Sequence, residues 1–310
     1  MNRSFTLIEI LVVIVVIGIL SAFVLVGMSS ITNNANITKS KAFSNSLRDS
    51  LLMNLVSEWK LDGTGTNTTA IDSWSANNGT LNNFNFDSTD GWRDDSQCVS
   101  KGCLQSDGIN DSILVGNNIT MDLTKGYTIE AWSKFDSITG QYMTISRYNY
   151  VADSDWFFVF CRESGLPAGR FKNYILYTNL SETSVISVDS YTTLEANKWL
   201  HLLLAVDPVS ASAKFYVNSS LKSSIVLSNF LRLGGKNATS GYYLRMGDGA
   251  YVLPDGYLDE VRIYNLPMIN SRINQNYFLG VNRLYKNREI TQIEYLERIV
   301  ELKSNLANNE

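Results

Sequence analysis

From Ile10 to Met28 the chain runs nineteen residues without a charge, nearly all of them Ile, Leu, Val or Ala. As an α-helix this run is ~28 Å long, close to the ~30 Å hydrocarbon core of a bilayer. A secretory signal peptide would have a shorter apolar run, ~7–15 residues, closed by a small-x-small cleavage site. Here the run is longer and has a carboxylate, Glu9, at its front edge. Glu9 is also the only charge between Arg3 and Lys39. A carboxylate beside the membrane interior is costly, which marks Glu9 as a functional candidate, the plainer reading being an interfacial residue among headgroups. Arg3 before the run, with no basic residue after it until Lys39, places the N-terminus inside and the rest of the chain outside.

Met1-Asn2-Arg3-Ser4 followed by Phe5-Thr6-Leu7-Ile8-Glu9-Ile10-Leu11-Val12-Val13-Ile14 resembles the prepilin N-terminus of type IV pilins and pseudopilins. The resemblance covers about the first thirty residues. It implies that a prepilin peptidase cuts between Ser4 and Phe5 and methylates the new amine, leaving Glu9 as an assembly residue. Two positions depart from the pattern. The family usually has Gly before the cut, where this chain has Ser4, and many major pilins have a kinking Pro where this chain has Val26. A carboxylate entering a packed bundle of apolar helices needs a cation, since burial alone costs several kcal/mol. The free amine of a neighbour's Phe5 is such a partner.

Beyond the span, Phe43, Leu47, Leu51 and Leu55 recur every fourth residue, with Leu52 and Val56 widening the stripe. This stripe reads as the outer half of one long helix with its membrane span at about 8–28, and the pilin resemblance implies that the helix runs over 5–56 behind a 1–4 leader. From about Ser57 the texture turns to β. Runs such as Tyr127–Trp132, Trp156–Phe160 and Lys214–Val217 alternate with turn signals such as Asn78-Gly79, Asp107-Gly108 and Asp255-Gly256. With no helical crossovers between the runs, an antiparallel sandwich or jelly roll is expected over 57–266.

Composition narrows the function. At 310 residues, 45% hydrophobic and 18% charged, the chain suits two domains with a sizeable core. A net charge of -4 argues against nucleic-acid binding. The single histidine, His201, excludes His-rich metal sites, and the three cysteines exclude a zinc ribbon. His201 lies in an apolar strand and reads as a core residue. Cys98 and Cys103, in a turn-like segment outside the cytoplasm, are expected to pair, and Cys161 to stay free and buried.

Several strings together resemble the concanavalin A-like, laminin G-like jelly roll. They are Leu55–Asp62, Asp72-Ser73 with Asn77–Leu81, Leu104–Asp111, Tyr127–Trp132, Lys198–His201 and Gly256–Asn265. Such domains often bind glycans, and some hydrolyse them with paired carboxylates. Their laminarinase-like relatives carry alternating acids on one strand, which this chain lacks. Asp94-Asp95 and Asp259-Glu260 are adjacent, so on a regular strand they point to opposite faces. The head therefore reads as non-catalytic. Laminin G-like relatives commonly hold calcium, and the matching acids are Asp62, Asp107 and Asp259, with turn capping as the other reading. Loop-borne Trp74, Trp92, Tyr148, Tyr150, Tyr242, Tyr243 and Tyr251 are candidates for stacking on sugars, or else core.

After Asn265 the chain reads as helical over 267–310. A short helix Met268–Leu279 is ended by Gly280, and a second is opened by the capping box Thr291-Gln292-Ile293-Glu294. Its apolar stripe needs a docking surface that the sequence does not name. The expected protein is a filament subunit, anchored by its N-terminal helix in the inner membrane before assembly, then displayed on the cell surface. Its partners are related pilin subunits, a prepilin peptidase and surface glycans. The alternatives are a pseudopilin of a secretion-type machine that contacts cargo or minor subunits and, less favoured, a membrane-tethered glycan hydrolase.

Overall fold

The computed structural model of the chain describes Ile14 and residues 54–307, apart from 117–118, 140–141, 149–155, 163–166, 168–169, 171, 180–183, 190–194, 234–242 and 248–251. Two compact units are present, Met1–Asn54 and Leu55–Glu310. In the first, Ile14 is helical and exposed. The expected span at 8–28, Ser4, Phe5 and Glu9, and the stripe from Phe43 to Leu52 lie outside the described residues. Among the described residues no helix is long and apolar enough to cross a membrane. Leu55 and Val56, read from the sequence as the last turn of the long helix, are instead strand.

The second unit is a sandwich of two antiparallel sheets. One runs, in spatial order, β14 (Ser220–Val226), β13 (Ser212–Val217), β12 (Trp199–Asp207), β7 (Tyr127–Phe135), β17 (Gly256–Tyr264), β5 (Gly102–Ser106) and β4 (Gly91–Asp94). β1 (Leu55–Trp59) shares with β5 one edge of β17, pairing its Val261–Tyr264 end while β5 pairs Gly256–Leu258. The other sheet runs β11 (Ser184–Asp189), β10 (Lys172–Asn179), β9 (Trp156–Arg162), β8 (Tyr142–Tyr148), β16 (Tyr243–Met246), β6 (Ser112–Gly116), β3 (Gly79–Asn82) and β2 (Thr69–Ala70), with β15 (Phe230–Leu233) on β10.

The period-two pattern explains the first sheet. Leu200, Leu202, Leu204 and Val206 of β12, with Ile129, Ala131 and Phe135 of β7, enter the core between the sheets, beside Trp59, Leu104 and Phe215. The alternate residues of these strands face the other way. There Trp132 and Trp199 join Tyr277, Val281, Leu284, Ile290 and Leu302 in a second apolar cluster. Those last five come from the C-terminal segment with α1 (Asn270–Lys286) and α2 (Gln292–Ala307). Both helices therefore cover the outer face of the first sheet, which answers where their apolar stripe docks. Buried on both faces, β12 reads as a continuous apolar run rather than an alternating one.

α1 does not stop at Gly280 but continues through it to Lys286. A Cβ at Gly280 would lie 2.1 Å from Trp132 Cζ2, so the glycine makes room for an indole rather than ending a helix. α2 begins as the sequence indicates, with Thr291 Oγ1 accepting from Glu294 N at 3.2 Å. The Glu294 carboxylate turns to Arg298 at 2.8 Å.

Candidate functional site

The three acids matched to a calcium site do not meet. Asp107 stands at the end of β5, whereas Asp62 accepts from Gly102 N at its start, 3.1 Å away. The intervening strand is about 17 Å long at 3.3 Å per residue. Asp259, on β17, joins Asp62's end: its Oδ2 accepts from Val99 N and Ser100 N, each at 2.9 Å. Burial, with the charge of Asp62 nearby, raises Asp259 well above the usual carboxylate range.

Asp107 instead belongs with Asp90 and Asp111, whose carboxylates bring one oxygen each within 4.8 Å of one another. Asp90 lies just before β4 and Asp111 just before β6, and both are fully buried. Asp90 is engaged by Asn85 N and Phe86 N at 2.8 and 2.7 Å. Asp107 Oδ1 accepts from Ile109 N at 2.8 Å, and Asp111 Oδ2 from Asp107 N at 3.0 Å. Among the described residues no donor reaches Asp111 Oδ1. Burial, with Asp107 and Asp90 alongside, pushes the Asp111 carboxyl up to about 7. Asp111 was within a string the sequence singled out, but nothing local distinguishes it from a turn residue. Asp90 has no sequence signal at all.

Cys98 and Cys103 form a disulfide with a Cα–Cα separation of 5.4 Å. The loop it closes supplies Asp259's two amides, and its Cys98 and Ser100 carbonyls accept from Asn287 Nδ2 at the end of α1. Cys161 lies in β9, and its side chain falls outside what is described.

Asp259 and Glu260 do not point to opposite faces. The pairing of β17 with β7 shifts between Asp259 and Arg262, and Glu260 sits in the left-handed region at φ 51°. This is a β-bulge. Leu258 and Val261 on either side both enter the core, so both acids face outward, beneath the helices. Glu260 pairs with Arg262 and, at 3.0 Å, with Arg283 of α1.

On the same face Glu130 of β7 is buried and gathers four donors. His201 Nε2 lies 3.1 Å away, Tyr264 Oη 2.9 Å, Asn276 Nδ2 3.0 Å and Arg262 Nη1 3.3 Å. Burial alone would raise Glu130, but His201, Arg262 and Asn276 outweigh it and hold the carboxyl at about 2. Arg262 Nε also donates to Glu58 Oε1 at 2.7 Å. Burial opposes ionisation of Glu58 too, yet Arg262 and Ser73 hold it below its ordinary value. His201 is thus a core residue in a structural network, its ring 5.1 Å from Trp132. Sequence reading missed Glu130, although a lone acid inside the apolar Tyr127–Trp132 run was its signal.

Of the aromatics, Trp74 is 44% exposed on a loop organised by Asp72, whose Oδ1 accepts from Glu58, Trp74 and Ser75 amides. Trp92 is held instead, donating to Asn67 O at 2.7 Å and packing against the core. Tyr243 is 36% exposed beside Arg245 and pairs across strands with Tyr148, whose side chain is outside the described set. Tyr150, Tyr242 and Tyr251 lie outside the described residues.

The profile of the prokaryotic N-terminal methylation motif matches residues 1–25, and that of the concanavalin A-like lectin/glucanases superfamily matches residues 107–274. No curated protein matches the chain. Among solved structures, domain 4 of AbnA, a GH43 extracellular arabinanase from Geobacillus stearothermophilus in complex with arabinotriose, aligns with TM-score 0.51 and 17% identity over 71% of this chain and 96% of that one. The binding domain of Paraclostridial Mosquitocidal Protein 1 aligns with TM-score 0.53 and 14% identity over 75% of this chain and 53% of that one. The Botulinum neurotoxin serotype D ligand binding domain, in complex with N-acetylneuraminic acid, aligns with TM-score 0.52 and 13% identity over 75% of this chain and 52% of that one. At such identities these likenesses establish the fold alone, and this chain matches about half the length of the two toxin chains. Since one profile matches more than half of the sequence, the chain belongs to the concanavalin A-like lectin/glucanases superfamily, and it bears the prokaryotic N-terminal methylation motif at its front.

Proposed function

We propose that this protein is a subunit of a type IV pilus-like filament that displays a glycan-binding head. The carrying observation is the methylation motif at residues 1–25, which takes in most of the nineteen-residue uncharged run. A prepilin peptidase cuts before Phe5, and the freed amine of one subunit meets Glu9 of its neighbour inside the filament. An unpaired charge in that dry core costs several kcal/mol whereas a paired one is tolerated, so the pair aligns incoming subunits more than it glues them. The anchor holds the subunit in the membrane with its head already outside the cytoplasm, and assembly carries it to the cell surface.

Glycan binding is supported by the sandwich fold, by similar domains solved with arabinotriose and with N-acetylneuraminic acid, and by the exposed rings of Trp74 and Tyr243. The head acts by binding rather than hydrolysis, a reading supported by Asp259, Glu260 and Glu130 being buried and engaged on the helix-covered face. Among the described residues, Asp107 is the one of the three matched acids that lies in a cluster of carboxylates, with Asp90 and Asp111, of the kind that could hold Ca²⁺.

Electron microscopy of sheared surface filaments, with mass spectrometry of their subunits, tests the assembly. The mature chain is expected to begin at methylated Phe5, and a different start defeats the pilin reading. Glu9→Gln is expected to leave cleavage and insertion intact while strongly reducing filaments. Ser4→Gly should process at least as well as the natural chain. Binding and hydrolysis assays on one glycan panel separate an adhesive head from an enzyme.

A further inference from the structure

The two C-terminal helices are apolar on both sides. Beneath, Tyr277, Val281, Leu284 and Leu302 pack on the first sheet. Outward, Ile293, Leu296 and Val300 of α2 are 71%, 52% and 66% exposed, and their spacing of three and four sets them in one stripe. Phe278, Leu279 and Tyr285 of α1 are also exposed. Tyr285 stacks on Tyr295 at 4.7 Å, and Tyr295 Oη donates to Asn282 Oδ1 at 2.8 Å, so the two helices present one continuous outer face. Helices lying on a sandwich normally turn polar residues outward, and an apolar patch rimmed by charge marks an interaction surface.

Charge is unevenly divided across this face. On the flank of α2 away from α1, Glu297 and Glu301 are exposed and line a cleft at the edge of the first sheet with Lys198 and Arg298. Those two bases are already paired, with Glu195 at 2.5 Å and Glu294 at 2.8 Å, and Lys222 in the same cleft is half-buried. On α1, Arg283 and Lys286 are exposed, and Lys286 shares the outward side of Leu279, seven residues before it. We propose that this face docks a second copy of the chain about a two-fold axis parallel to the helices. That operation lays the α2 edge of each copy over the α1 edge of the other, so acids meet bases twice while the apolar surfaces meet between them. A surface of uniform charge, such as an anionic membrane, matches only one edge. With its 16 residues α2 is about 24 Å long, and two helices side by side are about 20 Å wide, giving on the order of 500 Å² per copy. A standard interface takes ~800 Å² per partner, so this pairing is weak and reversible. A two-fold contact closes on itself, which sets it apart from a contact repeated along a filament, and it does not rest on the pairing of Phe5 with Glu9.

The test uses the full-length chain in non-ionic detergent micelles, with self-association followed by sedimentation velocity at rising protein concentration. The natural chain is expected to form a reversible dimer in the micromolar range that weakens as salt is added. Val300→Asp, at an exposed position, should leave the melting temperature unchanged and weaken the dimer at least tenfold. The double substitution Glu297→Lys, Glu301→Lys and, separately, Lys286→Glu should each weaken it several-fold by setting like charges together. Mixing these two variants should restore a dimer with one chain of each, because every reversed edge then meets its opposite. A natural chain that stays monomeric overturns the proposal. So does dimerisation that Val300→Asp leaves unchanged, since that places the contact in the anchor. Charge variants that do not recover on mixing overturn it as well, since the two edges then do not meet.

Discussion

Gly280 of α1 faces the indole of Trp132 so closely that a Cβ would come within 2.1 Å of its Cζ2. The missing side chain lets the helix lie down on β7, where Trp132 also stacks on Tyr277 at 5.8 Å. Gly280→Ala should therefore destabilise the head by about 1–3 kcal/mol through overpacking, although alanine is the better helix former by about 1 kcal/mol. Urea unfolding and near-ultraviolet circular dichroism provide the check. A variant as stable as the natural chain, with unchanged tryptophan signals, would contradict the notch.

The disulfide should stabilise twice over. Closing so short a loop contributes about 2 kcal/mol on chain-entropy grounds. The loop also supplies both amides held by Asp259. The double substitution Cys98→Ser, Cys103→Ser is expected to lose at least that loop contribution, and neither cysteine of the natural chain should alkylate before reduction. Rapid labelling of both in unreduced native protein would refute the pairing.

Glu130 sets an acid limit on the head. Its folded carboxyl titrates near 2, below the ordinary glutamate value, so ionisation favours the folded state. That stability is present above about pH 4.3, the unfolded value, and is lost as pH falls through the folded value. Glu130→Gln should cost about 3–5 kcal/mol near neutrality, because it breaks a buried charge network from one side. The gap between variant and natural chain should narrow steadily from pH 5 towards pH 2. A gap independent of pH would mean that Glu130 acts by packing alone.

Thr291 caps the last helix through its hydroxyl. Thr291→Ala is expected to cost about 1 kcal/mol. Limited proteolysis should then release the segment after Ile290 sooner than in the natural chain, and equal cleavage rates would argue against the cap.

Much of this protein is legible because its determinants are local. The uncharged run and the Phe5–Glu9 string are contiguous, so a linear reading suffices for the methylation motif that the profile match shows. The sandwich shows in alternating apolar runs and Asx-Gly turns, and the pairing of Cys98 with Cys103 spans a single tight loop. The helix caps at Thr291 are equally local. What failed were inferences about which way a residue faces and what it meets. Asp259 and Glu260 share a face only because β17 bulges there, and a bulge is imposed by pairing with β7. Gly280 looks like a helix end until Trp132, far away in the chain, is laid against it. Leu55 and Val56 continue a helical stripe in sequence, yet the open edge of β17 makes them a strand. Asp107 was visible, and Asp111 lies four residues on in the same turn, but Asp90 comes from the loop before β4, which only the folded sandwich brings beside them. Periodicity and motif are properties of neighbours in the chain; burial, register and the gathering of charges belong to neighbours in space, and only the folded sandwich could decide them.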